Sequence, residues 1–274
     1  MRTDLHIHSN FSDGSHSPEE IVSIAKNRNV GLISICDHGT VEAYERLSAA
    51  CKNNGVACVL GLEISGMHGG EDFHVLAYNF DKDNGEMKSL INNDYKNFEC
   101  NWIIFNMLKD FPRISLEDYK KFDYPKEKGG WKYIHYAVAR GLVGNYGEGN
   151  EILFKKYSSP NHLSHEIEMH ELCSAIKNAG GVPVLAHPGY VYERDPNSFA
   201  GFLRGMISCG IGGIECFYPS HSKEVINICA DFCKRNDLRI TGGNDCYGDF
   251  DKSEGFSIGA ADITADMLDL KGIV

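Results

Sequence analysis

Short apolar runs recur along this chain, and most of them break off at a histidine or a carboxylate. The clearest is Gly31-Leu-Ile-Ser-Ile-Cys-Asp37, apolar almost throughout, which stops at Asp37-His38. A continuous run of this kind marks a strand covered on both faces, as in a parallel sheet. Val56 to Ile64 is a similar run ending in Gly61-Leu62-Glu63, and Val182 to Ala186 stops at His187-Pro188-Gly189. Leu238 to Gly243 stops at Asn244-Asp245, Gly213 to Phe217 is a further run, and Asp72 to Phe80 carries His74. Helical patterns alternate with these runs. Ser17-Pro18-Glu19-Glu20 forms a capping box before the stripe Ile21, Ile24 and Ala25. Further helices are expected over Val41 to Asn54, about Ser164 to Ala179, about Asn197 to Cys209, and from Pro219-Ser220-His221 to Asn236. Strands alternating with helices mean β/α units and a mainly parallel sheet.

The first strand, Met1 to Asp13, holds the densest chemistry. In Asp4-Leu5-His6-Ile7-His8 successive side chains should face opposite ways, sending Leu5 and Ile7 to one face and His6 and His8 to the other. Two imidazoles side by side, with Asp13 close behind, make a metal clip. In a β/α barrel the C-terminal strand ends converge on the active face. His6, His8, His38, Glu63, His187 and Asp245 are then brought together from distant parts of the chain, with His74 on a strand of its own. Mixed histidine and carboxylate donors suit Zn, Mn or Fe(II).

The β/α rhythm stops after Phe80. Residues 81–162 read as a helical insertion, with helices over Glu86 to Leu108, Trp131 to Leu142 and Gly149 to Tyr157. The expected division is therefore a barrel from 1–80 and 163–274, interrupted by a cap from 81–162. A net charge of -11 argues against a chain that coats long nucleic acid, because such binding neutralises phosphates with Lys and Arg. A small phosphorylated substrate remains open, since bound cations reverse the local sign. No leader pattern follows Met1, and no run is long enough to span a membrane. The 10 cysteines form no Cys-x-x-Cys pair, so reduced, buried thiols and a cytoplasmic location are expected.

Asp4-Leu-His-Ile-His-Ser9, Ser12-Asp-Gly14, Asp37-His38, Gly61-Leu-Glu63, Phe73-His74, Leu185-Ala-His-Pro-Gly189 and Gly243-Asn-Asp245, in that order, resemble the motifs of the PHP family, the polymerase and histidinol phosphatase domain. The resemblance implies an α/β fold, a distorted seven-stranded β/α barrel with a helical insertion domain. It also implies two to three divalent metal ions and hydrolysis of phosphate esters. Carried over residue by residue, His6, His8, Glu63 and Asp245 look like a first metal site, and Asp13 and His38 like part of a second. Glu63 as a bridge, with His74 and His187, looks like a third; a hydroxide held through Glu63, Asp245 and His187 would attack phosphorus. The family's last motif usually reads Asp-x-His, whereas this chain reads Asp245-Cys246-Tyr247, so a phenol stands where an imidazole completes the second site. His16 is a candidate replacement.

The insertion resembles that of the nucleotide-phosphatase branch, in which a basic residue like Lys132 and a histidine like His221 approach the substrate phosphate. For Lys132 the plain alternative is a solvated charge, and for His221 a hydrogen bond within its loop. Asp37 reads either as an outer carboxylate orienting a ligand imidazole or as a helix cap. A mononucleotide or nucleotide 3',5'-bisphosphate is the leading substrate. Histidinol phosphate and a short oligonucleotide are the alternatives on the same core. The rival from another class is a regulatory metal-binding module whose site has decayed at Tyr247.

Overall fold

The computed structural model describes residues 1–92, 95–157, 167–250 and 255–274. Seven strands lie in one sheet in chain order: β1 (Arg2–Ile7), β2 (Val30–Ile35), β3 (Ala57–His68), β4 (Glu71–Tyr78), β5 (Val182–Leu185), β6 (Gly213–Phe217) and β7 (Arg239–Gly242). The sheet closes just beyond β7. Ile7 bridges Cys246 in parallel, and the His8 N–H donates to the Cys246 carbonyl at 2.9 Å. The expected barrel is therefore present.

Its strands are not uniformly parallel. β1 to β3 and β5 to β7 run parallel, but β4 runs antiparallel to both its neighbours. The cause lies in β3, which runs past Ile64 to His68 and turns back through Gly69 and Gly70, at φ 62° and 84°. Glycine adopts such angles without a Cβ penalty, so the pair makes the hairpin turn. Glu63 consequently stands in mid-strand, not at a strand end. Because β4 is reversed, His74 near its start reaches the same end of the barrel as the C-termini of the parallel strands.

The parity expected of β1 is also broken. Its pairing with β2 has a register irregularity between Asp4 and Ile7. Leu5 turns into the barrel with Leu32, Val59, Leu76, Tyr78 and Val184, while Ile7 packs outside with Ile21, Val22 and Leu47. The Leu5 carbonyl accepts the Tyr78 hydroxyl at 2.7 Å and the Cys36 thiol at 3.2 Å, so this buried acceptor is satisfied by side chains.

Helices cover the outside. α1 (Pro18–Asn27) carries the expected capping box from Ser17 to Glu20, and α2 (Tyr44–Asn54) ends at Gly55 in the left-handed conformation. The helical segment gives α3 (Gly85–Asn92), α4 (Tyr95–Asp110), α5 (Leu116–Lys121), α6 (Lys132–Ala139) and α7 (Tyr146–Tyr157). The helix expected over Glu86 to Leu108 is thus described as two pieces, with 93–94 outside the described residues. Ile103, Met107, Tyr119, Tyr136 and Leu153 give this segment an apolar core of its own, whereas Met87 of α3 packs with the barrel cluster. His162, His165 and the expected helix start at Ser164 lie outside the described residues. α8 (Met169–Asn178), α10 (Phe199–Ser208) and α11 (Lys223–Asn236) complete the outer layer. The short α9 (Gly189–Arg194), not foreseen, starts directly after Pro188, whose fixed φ suits a helix entry. Among the described residues no helix is long and apolar enough to cross a membrane.

Candidate metal centre

The barrel mouth gathers His6, His8, Glu63 and Asp245, all buried. β1 carries the two imidazoles. Backbone bonds from the Glu63 N–H to the Asp37 carbonyl (3.2 Å) and from the Gly39 N–H to the Glu63 carbonyl (3.0 Å) tie mid-β3 to the end of β2. His6 Nε2 lies 3.3 Å from both Glu63 Oε2 and Asp245 Oδ1; His8 Nε2 lies 3.2 and 3.0 Å from the same two oxygens. Yet both nitrogens of His8 and Asp245 Oδ1 are buried without a hydrogen-bond partner, despite this proximity. Buried polar atoms are normally paired. Ligand-type atoms from four residues that crowd within 4.8 Å of one another are arranged to take an ion between them. Donors about 2.1 Å from one ion sit about 3.0–3.4 Å apart, so these residues fit a divalent metal.

Two further groups adjoin the first among the described residues. In one, His8 Nδ1 is 3.6 Å from Asp13 Oδ1, and His38 Nε2 is 3.9 Å from Asp13 Oδ2. In the other, His74 Nδ1 and His187 Nε2 lie 2.8 and 3.3 Å from Glu63 Oε1. Glu63 offers one oxygen to each of two groups. His187 and Asp245 are held at φ 30° and 47°, a region costly for non-glycine residues and concentrated at functional sites.

The protons follow the charges. Burial alone would lower the His8 pKa, but Asp245, Glu63 and Asp13 outweigh it and push it up to about 10. Burial would raise Asp245, but His6 and His8 hold its carboxyl well below the usual range. Glu63 is likewise held well below its usual value against the pull of burial, by His74, His38 and His6.

The supporting residues differ in part from expectation. Asp37 accepts from the Ser9 N–H (2.7 Å), the Ser9 hydroxyl (2.5 Å) and the Ser12 hydroxyl (2.6 Å). These bonds pin the loop that presents Asp13. His221 has both ring nitrogens engaged by backbone: Nδ1 donates to the Cys216 carbonyl (3.0 Å) and Nε2 accepts from the Gly189 N–H (3.0 Å). This is the loop-bonding reading, and it leaves no donor for a phosphate. Tyr247 stacks flat on His8, with centroids 4.4 Å apart and planes 4° apart, and burial with the Asp245, Asp13 and Glu63 carboxylates pushes its phenol pKa well above the usual value. His16 lines a separate cavity with Cys246, Gly248 and Asp249.

Sequence reasoning missed Glu215 and Tyr218. Glu215, fully buried on β6, faces His6 Nδ1 at 3.0 Å and accepts the His187 N–H at 2.9 Å. The available signal was a carboxylate inside the apolar run Gly213 to Phe217. The Tyr218 hydroxyl donates to Asp245 Oδ2 at 2.9 Å. Asp4 accepts from Asn244 through both backbone and side chain, and from the Gly259 N–H, fixing the segment that leads into Asp245.

Beside the centre runs a cavity of about 260 Å³, lined by Phe11, Ser12, His38, Tyr119, Tyr124, Lys126, Trp131 and Lys132. The helical segment supplies most of this wall. Its Gly130, at φ 74°, donates its N–H to the Asp13 carbonyl at 2.7 Å, so the wall is fastened to the loop that carries Asp13. Trp131 packs against His38 with centroids 5.8 Å apart, and the Lys132 ammonium lies 5.0 Å over the Tyr119 ring.

Comparison with known proteins agrees with this architecture. Over 260 residues the chain is 27% identical to a 5'-3' exoribonuclease of Haemophilus influenzae, covering 89% of each chain. It is 25% identical to a phosphoribosyl 1,2-cyclic phosphate 1,2-diphosphodiesterase of Eggerthella lenta, covering 91% of this chain and 95% of that one. It is 24% identical to a 3',5'-nucleoside bisphosphate phosphatase of Chromobacterium violaceum, covering 89% and 86%. A solved structure from Bifidobacterium adolescentis, described as a metal-dependent phosphoesterase, superposes with a TM-score of 0.73 at 26% identity, over 91% of this chain and 89% of that one. The PHP domain family matches residues 4–183, well over half of the chain. With the barrel, the motif order and the converging histidines and carboxylates, that match makes the chain a member of the PHP domain family.

Proposed function

We propose that this protein is a metal-dependent phosphoesterase that hydrolyses a small phosphomonoester, foremost a mononucleotide or a nucleotide 3',5'-bisphosphate. The observation that carries the reading is the pair of buried donor atoms without hydrogen bonds, His8 Nε2 and Asp245 Oδ1, 3.0 Å apart beside Glu63 and His6. In this reading His6, His8, Glu63 and Asp245 hold one ion, Asp13 and His38 form part of the site of a second, and Glu63, His74 and His187 hold a third. Bound there, two or three divalent ions supply Lewis acidity and a water of lowered pKa, so no separate protein base is needed.

The chain's own part is to bind and orient. Glu63 spans the groups with its two oxygens, which sets their spacing. The Tyr218 hydroxyl and the Asp4 network hold Asp245 in its strained conformation. The aromatic cavity beside His38 offers flat surfaces for a base at Phe11, Tyr119, Tyr124 and Trp131, and base stacking on such rings is favourable for any nucleobase. Lys126 and Lys132 stand at the same cavity and offer cations to phosphate. This lining favours a nucleotide over histidinol phosphate. His221 is left out of the phosphate contacts, because backbone groups occupy its ring.

The names of the relatives support phosphate-ester hydrolysis and also raise diester and RNA substrates, so the test is comparative. Metal-stripped protein reconstituted with Mn or Zn should release phosphate from adenosine 3',5'-bisphosphate or AMP with a higher kcat/KM than from histidinol phosphate. A higher kcat/KM for a short oligoribonucleotide or a cyclic phosphate would replace the monoester reading. Metal binding without turnover of any of these would favour the regulatory module.

A further inference from the structure

We propose that Glu215 is a positioning residue that couples two of the metal-binding groups through one carboxylate. The proposal rests on the metal-binding part of the function given above. Glu215 is fully buried on β6, between the apolar Ile214 and Cys216. A carboxylate in such a place is costly unless it is fully used. Both of its oxygens are used, and on different groups. Oε1 lies 3.0 Å from His6 Nδ1, and Oε2 accepts the His187 backbone N–H at 2.9 Å.

The first contact selects a tautomer. A carboxylate only accepts, so Glu215 holds a proton on His6 Nδ1. Nε2 also faces carboxylates, Glu63 Oε2 and Asp245 Oδ1, each 3.3 Å away, and gives up its proton when an ion binds between them, which leaves the Nδ1–H tautomer. The second contact holds a backbone. His187 sits at φ 30°, and its N–H bond to Glu215 fixes the strained turn from which Nε2 reaches to 3.3 Å from Glu63 Oε1. The His6 and His187 rings lie 5.8 Å apart and within 18° of parallel. One side chain thus sets the ring orientation of His6 in the first group and the backbone of His187 in the third. Outer carboxylates that orient ligand imidazoles typically change metal affinity 10–100-fold when removed.

Glu215→Gln isolates this role, because it keeps shape and burial. An amide has one acceptor oxygen, so it cannot accept from both His6 Nδ1–H and the His187 N–H. Either its NH2 group faces His6 and forces the wrong tautomer, or it faces the His187 N–H, donor against donor. Competition with a chelator should show Zn bound about 10–100-fold more weakly at two sites in Glu215→Gln. The cobalt(II)-loaded variant should show an altered visible spectrum, and Glu215→Asp, which keeps both acceptors, should recover part of the affinity. Thermal unfolding of the metal-free variants shows that each is folded. Wild-type affinity and cobalt spectrum in folded Glu215→Gln would overturn the proposal, as would lowered stability with unchanged metal affinity. A measurement without substitution stands beside these. In the zinc-loaded wild type, nitrogen-15 NMR should show His6 protonated at Nδ1 and metal-bound through Nε2; the reverse pattern overturns the assignment. Should the wild type bind no metal at all, the metal reading itself falls, and that outcome is distinct from a wild type and a Glu215→Gln variant that bind equally.

Discussion

Asp37→Ala should destabilise the metal-free protein by about 3–5 kcal/mol. The side chain is buried and accepts three hydrogen bonds, one from a backbone N–H and two from hydroxyls. A hydrogen bond to a charged group contributes about 1.5–3 kcal/mol. The full sum is not expected, for two reasons. Burial already raises the Asp37 pKa, against the Ser12 and Ser9 hydrogen bonds that lower it, so part of the benefit is spent on desolvation. The two serine hydroxyls can also turn to new partners, whereas the Ser9 N–H is left unsatisfied. Asp37→Asn keeps the oxygen that accepts from Ser9 N–H and Ser12, and its amide can donate to the Ser9 oxygen; it should cost about 1–2 kcal/mol. For a chain of this size the alanine variant should unfold about 6–15 °C lower, taking roughly 2–3 °C per kcal/mol. Thermal and urea unfolding of the metal-stripped proteins give the numbers. Metal counting should show the ion near Asp13 as the one lost, since Asp37 pins the loop that presents it. An alanine variant within about 1 kcal/mol of wild type, or equal to the asparagine variant, would refute the pinning role.

Tyr247→His should raise occupancy of the group formed by His8, Asp13 and His38, because a neutral imidazole ligates far better than a phenol that burial and the Asp245 and Asp13 carboxylates keep protonated; metal analysis showing equal, full occupancy in both proteins contradicts this. Lys132→Ala should lower kcat/KM by about 1–3 kcal/mol if its ammonium leaves the Tyr119 ring for a substrate phosphate, and unchanged kinetics would leave Lys132 a surface charge. Metal affinity should rise with pH. The His8 pKa is pushed up to about 10 in the metal-free site, so at pH 7 binding must expel its proton, and each proton released makes affinity about tenfold tighter per pH unit below that pKa. Proton release measured in weak buffer and chelator competition at pH 6, 7 and 8 check the sign, and an affinity flat across that range would show that no protonated ligand is displaced.

Much of the centre was legible because ligand-type residues recur at the ends of apolar runs, a pattern that packing alone does not require. Where the sequence misled, the backbone departed from simple periodicity. The irregularity in β1 separates Leu5 from Ile7, which strict alternation would keep together. The long β3 was hidden because Ser65 and Gly66 read as a break after Ile64, so the hairpin and the mid-strand position of Glu63 could not be read. Asp37 bonds Ser9 and Ser12, and His221 bonds the Gly189 N–H, partners that the fold brings from elsewhere in the chain and about which motif spacing carries no information. Glu215 was passed over for a related reason. A lone carboxylate in a strand has no visible partner until the fold brings His6 and His187 onto it.

If these buried histidines and carboxylates hold divalent ions that drive phosphate-ester hydrolysis, activity must follow bound metal. The most direct test is a titration of Mn into metal-stripped protein, following bound metal and phosphate release from adenosine 3',5'-bisphosphate in the same samples. No release is expected without metal, and the rate should climb with bound metal and level off at two to three equivalents. Full activity in the stripped protein, or bound metal without any release from this or the other phosphate esters, would contradict that dependence.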